Sequence, residues 1–280
     1  MTGASAPTAS IVIAAHNEQE RIGACLGTAL ANAGDGEFEV VVVCNGCTDR
    51  TASEAARFEG VTVLETPTAG KVAALNLGDG TASAFPRLYM DADIAISTDS
   101  LRALVDALGD GGLLAAGPRV RFDTSRSSWG VRVYHSVWTK LGWERATIIG
   151  GGIYGVSRAG RERFGEFPDI NAEDYWFNAQ FSPGERSRVE GAVSTVEAAP
   201  DLRRLVNRKA RVLAYNRAAD AVLAGAPGLP SGRAGGLARL ARARPRMLPA
   251  ICLYAVATLT AEVLARRRLR RGDVAWVSDR

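Results

Sequence analysis

Two aspartates separated by one small residue, Asp91 and Asp93, follow directly after an apolar run at residues 87–90. Two carboxylates at this spacing can hold a divalent cation through oxygen ligands and leave coordination sites for phosphate oxygens. A cation held there would stabilise the charge that develops on a departing phosphate group. Considered alone, the pair fits a solvated turn or a helix N-cap at least as well.

A second acidic pair, Glu173-Asp174, precedes an aromatic run at residues 175–177. A carboxylate within hydrogen-bond reach of a substrate hydroxyl can act as a general base. Without further motifs, however, an acidic helix start after Asn171 is the favoured interpretation.

Lys71 follows Gly70, as in a phosphate-binding P-loop, but the spacing excludes that motif. A P-loop requires glycine at position 65 and serine or threonine at position 72, where this chain has Glu65 and Val72. Lys71 could still contact phosphate as a point charge, or it could be a solvated lysine.

A regular alternation of strands and helices positions these residues. Apolar runs at residues 11–15, 40–43, 61–64 and 87–90 are each followed by a helical pattern. This pattern predicts an α/β fold with a Rossmann-like, mostly parallel sheet and helices on both faces. In such sheets ligands bind beyond the carboxyl ends of the strands, where this chain is polar. The residues at these ends include His16, Asn17, Glu18, Asn45, Asp49, Lys71 and Asp91.

The composition is that of a soluble globular protein, with 47% hydrophobic and 23% charged residues and a net charge of +4. The small positive balance suits a diphosphate substrate or an anionic membrane surface. The four cysteines, among them a C-x-x-C at Cys44 and Cys47, are too scattered for a disulfide framework. We interpret Cys44 as a strand residue, and we expect no zinc site and no nucleic-acid partner. Residues 1–10 lack a signal-peptide pattern, so we expect a cytoplasmic protein.

Taken together, five motifs in this order resemble the family 2 glycosyltransferases of the GT-A fold, over residues 10–181. The motifs are Ala14-Ala15-His16-Asn17-Glu18, Asn45-Gly46-Cys47-Thr48-Asp49-Arg50-Thr51, Gly70-Lys71-Val72-Ala73-Ala74-Leu75-Asn76, Asp91-Ala92-Asp93 and Glu173-Asp174. The resemblance implies an inverting transfer of sugar from a nucleoside-diphosphate sugar to an acceptor hydroxyl, with Mg²⁺ or Mn²⁺ as cofactor.

The resemblance also implies roles for single residues. Asp174, with Glu173 beside it, matches the general base, and Asp93 matches the metal ligand. Asp91 would lie near the ribose or the metal.

Glu18 and Asn45 match the positions that hold the nucleobase and ribose, next to Asn17 and Lys71 in the predicted donor site. Many relatives carry Asp-Asp-Gly-Ser at residues 44–47, where this chain has Cys-Asn-Gly-Cys. The usual carboxylate contact to the base is therefore missing, and Asp49 is the candidate to replace it. The identity of the base stays open.

The region after Glu173-Asp174 lacks the Gln-x-x-Arg-Trp motif of the processive synthases in this family. We therefore expect transfer of a single sugar. Arg204 or Arg208 could contact the diphosphate, although a basic solvated helix face is the favoured role for this cluster.

Four aromatic residues in the middle of the chain could stack on an acceptor, but we favour core packing, because the spacing from Tyr134 to Trp138 also suits a buried helix face. They are Trp129, Tyr134, Trp138 and Trp143.

Residues 247–265 are mostly apolar and are flanked by arginines on both sides. The stretch barely reaches the length of about 20 residues that spans a bilayer, and Pro249 and Glu262 make it a poor span. We expect an interfacial or dimer-forming helix, with peripheral membrane contact through residues 247–271. A lipid-linked acceptor at the inner face of the cell membrane would suit such contact, as an alternative to a small-molecule acceptor.

The predicted domains are residues 1–226, with a nucleotide-binding half at 10–93 and an acceptor half at 94–226, and a helical tail at 227–280. Two rival functions remain at this point. A sugar-phosphate nucleotidyltransferase should carry a glycine-rich basic loop where this chain has His16-Asn17-Glu18. A non-catalytic module that binds a nucleotide sugar or docks at a membrane would not need Asp93 and Asp174.

Overall fold

The computed structural model describes residues 6–109, 112–142, 147–220, 222–223 and 233–272. Within these residues the strands are β1 (Ala9–Ala15), β2 (Phe38–Asn45), β3 (Val61–Thr66), β4 (Arg87–Asp91), β5 (Ala95–Ile96), β6 (Ala115–Asp123), β7 (Ile153–Val156) and β8 (Arg186–Glu197). The helices are α1 (Ile22–Leu30), α2 (Thr51–Ala55), α3 (Lys71–Thr81), α4 (Thr98–Gly109), α5 (Trp129–Trp138), α6 (Arg158–Arg161), α7 (Glu173–Ala179), α8 (Leu202–Ala219), α9 (Arg233–Ala243) and α10 (Leu248–Arg270). Short 3-10 turns follow α5 at Thr139–Leu141 and precede α10 at Pro245–Met247.

The strands form one mixed sheet in the order β3-β2-β1-β4-β7-β6-β8-β5. β1 pairs in parallel with β2 and β4, and β2 pairs in parallel with β3. β7 runs antiparallel to β4 and β6, and β5 runs antiparallel to β8. The predicted α/β fold with a helical C-terminal extension is confirmed, and the parallel part of its sheet is formed by the first four strands.

Both faces of the parallel strands are covered, as their continuous apolar runs predict. Helix α3 lies close to one face, because a side chain at Gly78 would meet Val12 Cγ1 at 2.4 Å and Val43 Cγ2 at 3.2 Å. Ile11 and Ile13 alternate with Val12 and therefore point to the opposite face, where both are fully buried.

The register of the parallel strands aligns their carboxyl ends. Ala14 of β1 lies opposite Asp91 of β4, and Ala15 lies opposite Cys44 of β2. Asn45, at the end of β2, lies opposite Thr66 of β3. The polar residues that follow these strands consequently emerge at one edge of the sheet.

The chain divides into two compact units. The sheet unit comprises Met1–Arg121, Ile148–Asp169 and Gln180–Val196, and the helical unit comprises Phe122–Thr147, Ile170–Ala179 and Glu197–Arg280. Each unit is assembled from segments that are distant in sequence. The predicted domain boundaries stay predictions.

The core of the helical unit is built by α5, α8 and α10. Tyr134 of α5 is buried and stacks on Tyr254 of α10, with ring centroids 4.6 Å apart. Trp138 packs against the same core. The prediction of core packing is therefore confirmed for Tyr134 and Trp138. It is wrong for Trp129, which is 73% exposed, and Trp143 lies outside the described residues.

Candidate active site

Lys71 and Asp91 face each other at the carboxyl edge of the sheet. Lys71 is the first residue of α3, Asp91 is the last residue of β4, and Lys71 Nζ lies 2.6 Å from Asp91 Oδ1. The backbone N–H of Asp91 donates to the carbonyl of Gly152 at 2.7 Å, which anchors the end of the strand. The two side chains are 30% and 37% exposed, so a ligand in solvent can reach both.

Asp93 lies beside a second cation, Arg21, which the sequence did not single out. Arg21 Nη1 lies 3.7 Å from Asp93 Oδ2 and 3.9 Å from Glu18 Oε2. Arg21 directly precedes α1 and is half-exposed. Its position three residues after Glu18, at a helix start, is the spacing that brings two side chains together and could have identified it.

Asp91 and Asp93 fit a hard divalent cation. In the described part of the chain, no three His, Cys, Asp or Glu side chains converge on one point. Two carboxylates suffice for Mg²⁺ or Mn²⁺ when a diphosphate and water supply the remaining oxygens. The residues present therefore suit a metal that binds together with a diphosphate ligand.

The buried side chain of Asn45 holds two segments of this edge together. Its Nδ2 donates to the carbonyl of Ala15 at 2.8 Å, and its Oδ1 accepts the backbone N–H of Gly70 at 3.0 Å. Asn45 is 1% exposed. These bonds place the end of β1 and the start of α3, and with it Lys71, whereas the predicted contact of Asn45 with a donor stays a prediction.

Asn17 shapes the loop after β1. It adopts a left-handed backbone conformation with φ 53°, which asparagine tolerates better than most residues. Its Oδ1 accepts the backbone N–H of Thr48 at 2.8 Å, and its own N–H donates to Cys47 Sγ at 3.3 Å. The loops after β1 and β2 are therefore bonded to each other.

Asp49 and Thr51 complete this connection between the two loops. Asp49 Oδ1 accepts the backbone N–H of Thr51 at 3.0 Å, and Asp49 Oδ2 accepts that of Gln19 at 3.2 Å. Thr51 Oγ1 in turn accepts the backbone N–H of Glu18 at 2.7 Å. The loops after β1 and β2, which carry Asn17, Glu18 and Asp49, are thus joined by several hydrogen bonds.

Gly46 allows the loop after β2 to pass close to the loop before α3. Its φ is 57°, and a Cβ atom at this position would lie 2.7 Å from the backbone nitrogen of Ala69. Both the conformation and the close approach require glycine.

The surroundings of Cys44 and Cys47, the two cysteines of the C-x-x-C, indicate a structural role for both. Cys44 is buried in β2, and burial raises the pKa of its thiol to about 12, with the neighbouring Cys47 adding to the shift. Cys47 Sγ contacts the carbonyl of Ala15 at 3.5 Å. A thiol with so high a pKa is a poor nucleophile and a poor metal ligand, in agreement with our interpretation of Cys44 as a strand residue.

The second acidic pair opens α7 in the helical unit. Asp174 is partly exposed, and its Oδ1 accepts the N–H of Tyr175 at 2.7 Å. Glu173 is 4% exposed. The hydroxyl of Tyr175 donates to Asp220 at 2.8 Å, which ties this helix start to the end of α8. Of the two acids, Asp174 is the one that a substrate can reach.

The basic cluster of α8 forms an exposed helix face. Arg203, Arg204 and Arg208 are exposed. Arg204 Nη1 lies 3.0 Å from Asp201 Oδ2, while Asp201 Oδ1 accepts the N–H of Arg204 at 2.8 Å and caps the helix. The contact of Arg204 or Arg208 with a diphosphate stays a prediction.

Comparison with known proteins identifies the family. The model of "Glycosyl transferase family 2" matches residues 10–164, which is more than half of the chain and includes Asp91 and Asp93. A comparison with curated proteins finds no match.

Three solved structures illustrate the similarity in fold. The mannosyltransferase PcManGT from Pyrobaculum calidifontis, in complex with GDP-Man and Mn²⁺, is 20% identical, with a TM-score of 0.63 over 98% of this chain and 78% of that one. TarS (residues 1–349) from S. aureus, in complex with UDP-GlcNAc, is 14% identical, with a TM-score of 0.55 over 94% of this chain and 83% of that one.

Glucosyl-3-phosphoglycerate synthase from Mycobacterium tuberculosis, in complex with Mn²⁺, UDP-glucose and phosphoglyceric acid, is 20% identical. Its TM-score is 0.54 over 79% of this chain and 81% of that one. At these identities the likeness concerns the fold alone. Because the family model spans more than half of the chain and the sheet is of the GT-A type, this protein belongs to glycosyl transferase family 2 and is a glycosyltransferase.

Proposed function

We propose that this enzyme transfers a single sugar from a nucleoside-diphosphate sugar to an acceptor hydroxyl, with inversion at the anomeric carbon. The observation that carries the proposal is the pairing of Lys71 with Asp91 at 2.6 Å, beside Asp93, at the carboxyl edge of the sheet. Carboxylates for a metal and a cation for a phosphate are the groups that a nucleoside diphosphate requires there.

The donor would be held by the sheet unit. Asp93, assisted by Asp91, would bind Mg²⁺ or Mn²⁺, and the bound ion would neutralise charge on the diphosphate. Lys71 and Arg21 already lie beside these carboxylates, so each could shift toward a phosphate oxygen when the metal takes its carboxylate partner. Two of the three similar structures contain Mn²⁺, which supports this assignment.

The nucleoside would lie against the loops after β1 and β2. Glu18 is partly exposed there, whereas Asn45 and Asp49 bond mainly to the chain itself. We therefore assign Glu18 the direct contact, and we assign Asn45, Asn17 and Asp49 to shaping the pocket. The similar structures contain GDP-Man, UDP-GlcNAc and UDP-glucose, so their donors do not select one base.

The acceptor hydroxyl would be deprotonated by Asp174. Its oxygen then forms a bond to the anomeric carbon on the face opposite the diphosphate, and the bond from that carbon to the diphosphate oxygen breaks. The proton passes to Asp174, and the nucleoside diphosphate departs with the electron pair. Glu173 is buried beside Asp174, and we assign it a positioning role.

The acceptor would be a small molecule or a lipid-linked one. Transfer of one sugar is favoured because the chain lacks the Gln-x-x-Arg-Trp motif of processive relatives. The roles assigned to the donor-site residues and to Asp174 are the same for either class of acceptor. We also propose that the enzyme works in the cytoplasm, where nucleotide sugars are available.

A thermal-shift screen of UDP-, GDP- and dTDP-sugars, with and without Mn²⁺, tests the donor site. One nucleotide sugar should raise the melting temperature only when Mn²⁺ is present. The substitution Asp93→Ala should abolish the shift, whereas Asp106→Ala, which removes an exposed aspartate of α4, should leave it intact. Absence of any shift in the unaltered protein would contradict the proposal.

Membership in a glycosyltransferase family disfavours both rival functions of the sequence analysis. A nucleotidyltransferase would also need a basic glycine-rich loop after β1, where this chain has the Asn17 turn. A non-catalytic binding module would tolerate the loss of Asp174, whereas the proposed enzyme would lose turnover.

A further inference from the structure

Helix α10 presents an apolar stripe to solvent. Leu248, Val256, Leu259 and Val263 are 48%, 64%, 65% and 49% exposed, and Cys252 is also exposed. These five residues follow one another at intervals of four, four, three and four, which places them on one face of the helix. We call this face the α10 stripe.

An open groove adjoins the α10 stripe. It lies between α8 and α10, has a volume of about 370 Å³, and is lined by apolar side chains that include Leu202, Val206 and Leu253. Val256 and Cys252 belong to both the groove and the stripe. The exposed apolar surface is therefore broader than a single row of side chains.

The opposite face of α10 is committed to the helical unit. Ile251, Tyr254 and Ala257 pack into its core, and Ala261 and Ala265 pack on α8. Glu262 forms an ion pair with Arg217 of α8. By length and composition Pro245–Arg270 could cross a membrane, but in this structure it cannot do so alone.

Helix α8 would have to enter the bilayer together with α10, and its charge forbids this. Its basic residues are Arg203, Arg204, Arg208, Lys209, Arg211 and Arg217. Charged side chains inside the hydrocarbon layer are strongly unfavourable. The α10 stripe and the groove beside it are therefore available to lipid only at the surface of the membrane.

Both ends of the α10 stripe are basic. Exposed arginines precede the helix at positions 242, 244 and 246, and others end it at positions 266, 267, 270 and 271. Glu262 is the single acidic residue in the sequence from 233 to 272, and it already pairs with Arg217. An apolar face between two cationic ends is complementary to a surface of anionic lipid headgroups.

The same charges disfavour a second copy of the chain as the occupant. Two stripes that paired in parallel would bring like ends together, and two that paired antiparallel would bring one basic end against the other. Both arrangements oppose arginines to arginines, which weakens self-association.

We propose that α10 docks parallel to the surface of an anionic lipid bilayer, with its exposed stripe inserted at the headgroup boundary and its terminal arginines on the headgroups. The attachment is peripheral and depends on both apolar contact and charge. It does not depend on the proposed sugar transfer.

Flotation of the full-length protein with vesicles tests this proposal. We expect binding to vesicles of phosphatidylcholine with phosphatidylglycerol, weak binding to phosphatidylcholine alone, and release by high salt or alkaline carbonate. The double variant V256Q/L259Q should bind roughly tenfold more weakly or worse, because two inserted apolar side chains are lost. The matched control V212Q alters an apolar residue of α8 that is 46% exposed and lies outside the stripe, and it should bind normally.

Two further measurements keep the test independent of folding. The variant R266Q/R267Q/R270Q leaves every apolar contact in place and should lose the preference for anionic vesicles. A polarity-sensitive fluorescent dye can be attached to the exposed Cys252 in a Cys47→Ser background, because Cys25 and Cys44 are buried. The emission maximum of this dye should shift to shorter wavelength when the protein binds vesicles.

Four results would overturn the proposal. The first two are no vesicle binding by the unaltered protein and equal binding by V256Q/L259Q. The third is a dimer in light scattering that the same double variant dissociates, and the fourth is resistance to carbonate, which would indicate a spanning helix instead. Donor-induced thermal shifts, measured on the same samples, report separately on the proposed donor site.

Discussion

The ammonium group of Lys71 lies 2.6 Å from the carboxylate of Asp91, so one of the two predicted metal ligands is already paired with a lysine of the protein itself. The pair is partly exposed, and its Coulomb energy is therefore modest. A metal ion must compete with the lysine for Asp91, and a diphosphate offers the lysine a replacement partner. Metal and donor should consequently bind with positive coupling.

Replacement of Lys71 by glutamine should separate these two effects. Mn²⁺ should bind the nucleotide-free enzyme about two- to fivefold more tightly, because an exposed ion pair of this kind contributes about 0.5–1 kcal/mol. The donor should bind more weakly, because a phosphate contact is lost. Electron paramagnetic resonance of free Mn²⁺ measures the first effect and isothermal calorimetry the second. The control variant Lys140→Gln, altered at an exposed lysine of the helical unit, should change neither Mn²⁺ binding nor donor binding. An unchanged Mn²⁺ affinity in Lys71→Gln would show that the metal does not compete with Lys71 for Asp91.

The substitution Asp174→Asn tests the assignment of the general base. Asparagine keeps the shape of the side chain but cannot take a proton, so turnover should fall by about 10²–10⁴-fold. Donor-induced thermal shifts should be unchanged, because Asp174 is not part of the proposed donor site. Sugar transfer is measured as release of nucleoside diphosphate, with Asp106→Asn as the control. Retention of full turnover would remove Asp174 from the mechanism.

Asp79 should be a stability determinant of the sheet unit. Its carboxylate is buried and accepts hydrogen bonds from Arg161 at 2.7 Å, Arg87 at 2.6 Å and Tyr89 at 2.6 Å. Burial alone would raise the pKa of Asp79, but the bonds from Arg161, Tyr89 and Arg87 outweigh it and hold the pKa below its usual value.

Asp79→Asn should therefore lower the free energy of unfolding by about 3–5 kcal/mol, because two arginines lose their buried counter-charge. Urea denaturation at pH 7 measures the loss. The depressed pKa means that the contribution is present above the unfolded pKa and is lost only as the pH falls through the lower folded value. The difference between the two proteins should thus persist at pH 5. A change below about 1 kcal/mol would contradict this role.

His135 should make the stability of the helical unit depend on pH. Burial lowers the pKa of His135 to about 4, and the positive charges of Arg208 and Lys209 add to the shift. The unfolded chain binds this proton near pH 6.5, so the folded state loses stability as the pH falls from about 6.5 toward 4.

Unfolding by urea at several pH values measures this dependence. Over that range the loss attributable to His135 should approach about 3 kcal/mol. The variant His135→Gln cannot take the proton, and its stability should fall less steeply between pH 6.5 and 4. Parallel curves for the two proteins would show that His135 titrates normally.

The sequence was most informative where strands are buried on both faces. The runs Ile11-Val12-Ile13 and residues 40–43 predicted β1 and β2 within two residues, because a continuous apolar run has few other uses in a soluble protein. The antiparallel strands β6 and β8 were not predicted. β8 carries polar residues at most positions and a glycine at position 191, so its pattern resembles that of a loop.

The candidate site was predictable by residue type but not by role. Polar residues after a strand can bind a ligand or form hydrogen bonds with neighbouring loops, and the residue type alone does not distinguish these two roles. Asn45 is buried and bonds to two backbone segments, which no spacing rule distinguishes from a contact with a nucleotide. Arg21 was missed because a single arginine at a helix start resembles ordinary surface charge; its spacing from Glu18 hints at a contact, and its approach to Asp93 is visible only in the structure.

Gly46 limits how this enzyme can be re-engineered toward another nucleotide. A library randomised over positions 45–47 should return glycine at position 46 in its folded members, because a side chain there meets the backbone of Ala69 and the φ of 57° disfavours other residues. Asn45 is held by its two backbone bonds, and Cys47 is partly exposed but accepts the N–H of Asn17, so folded members should keep a hydrogen-bond acceptor at position 47. The loop after β2, which we assign to the donor site, can therefore vary its surface only within the shape that Gly46 imposes.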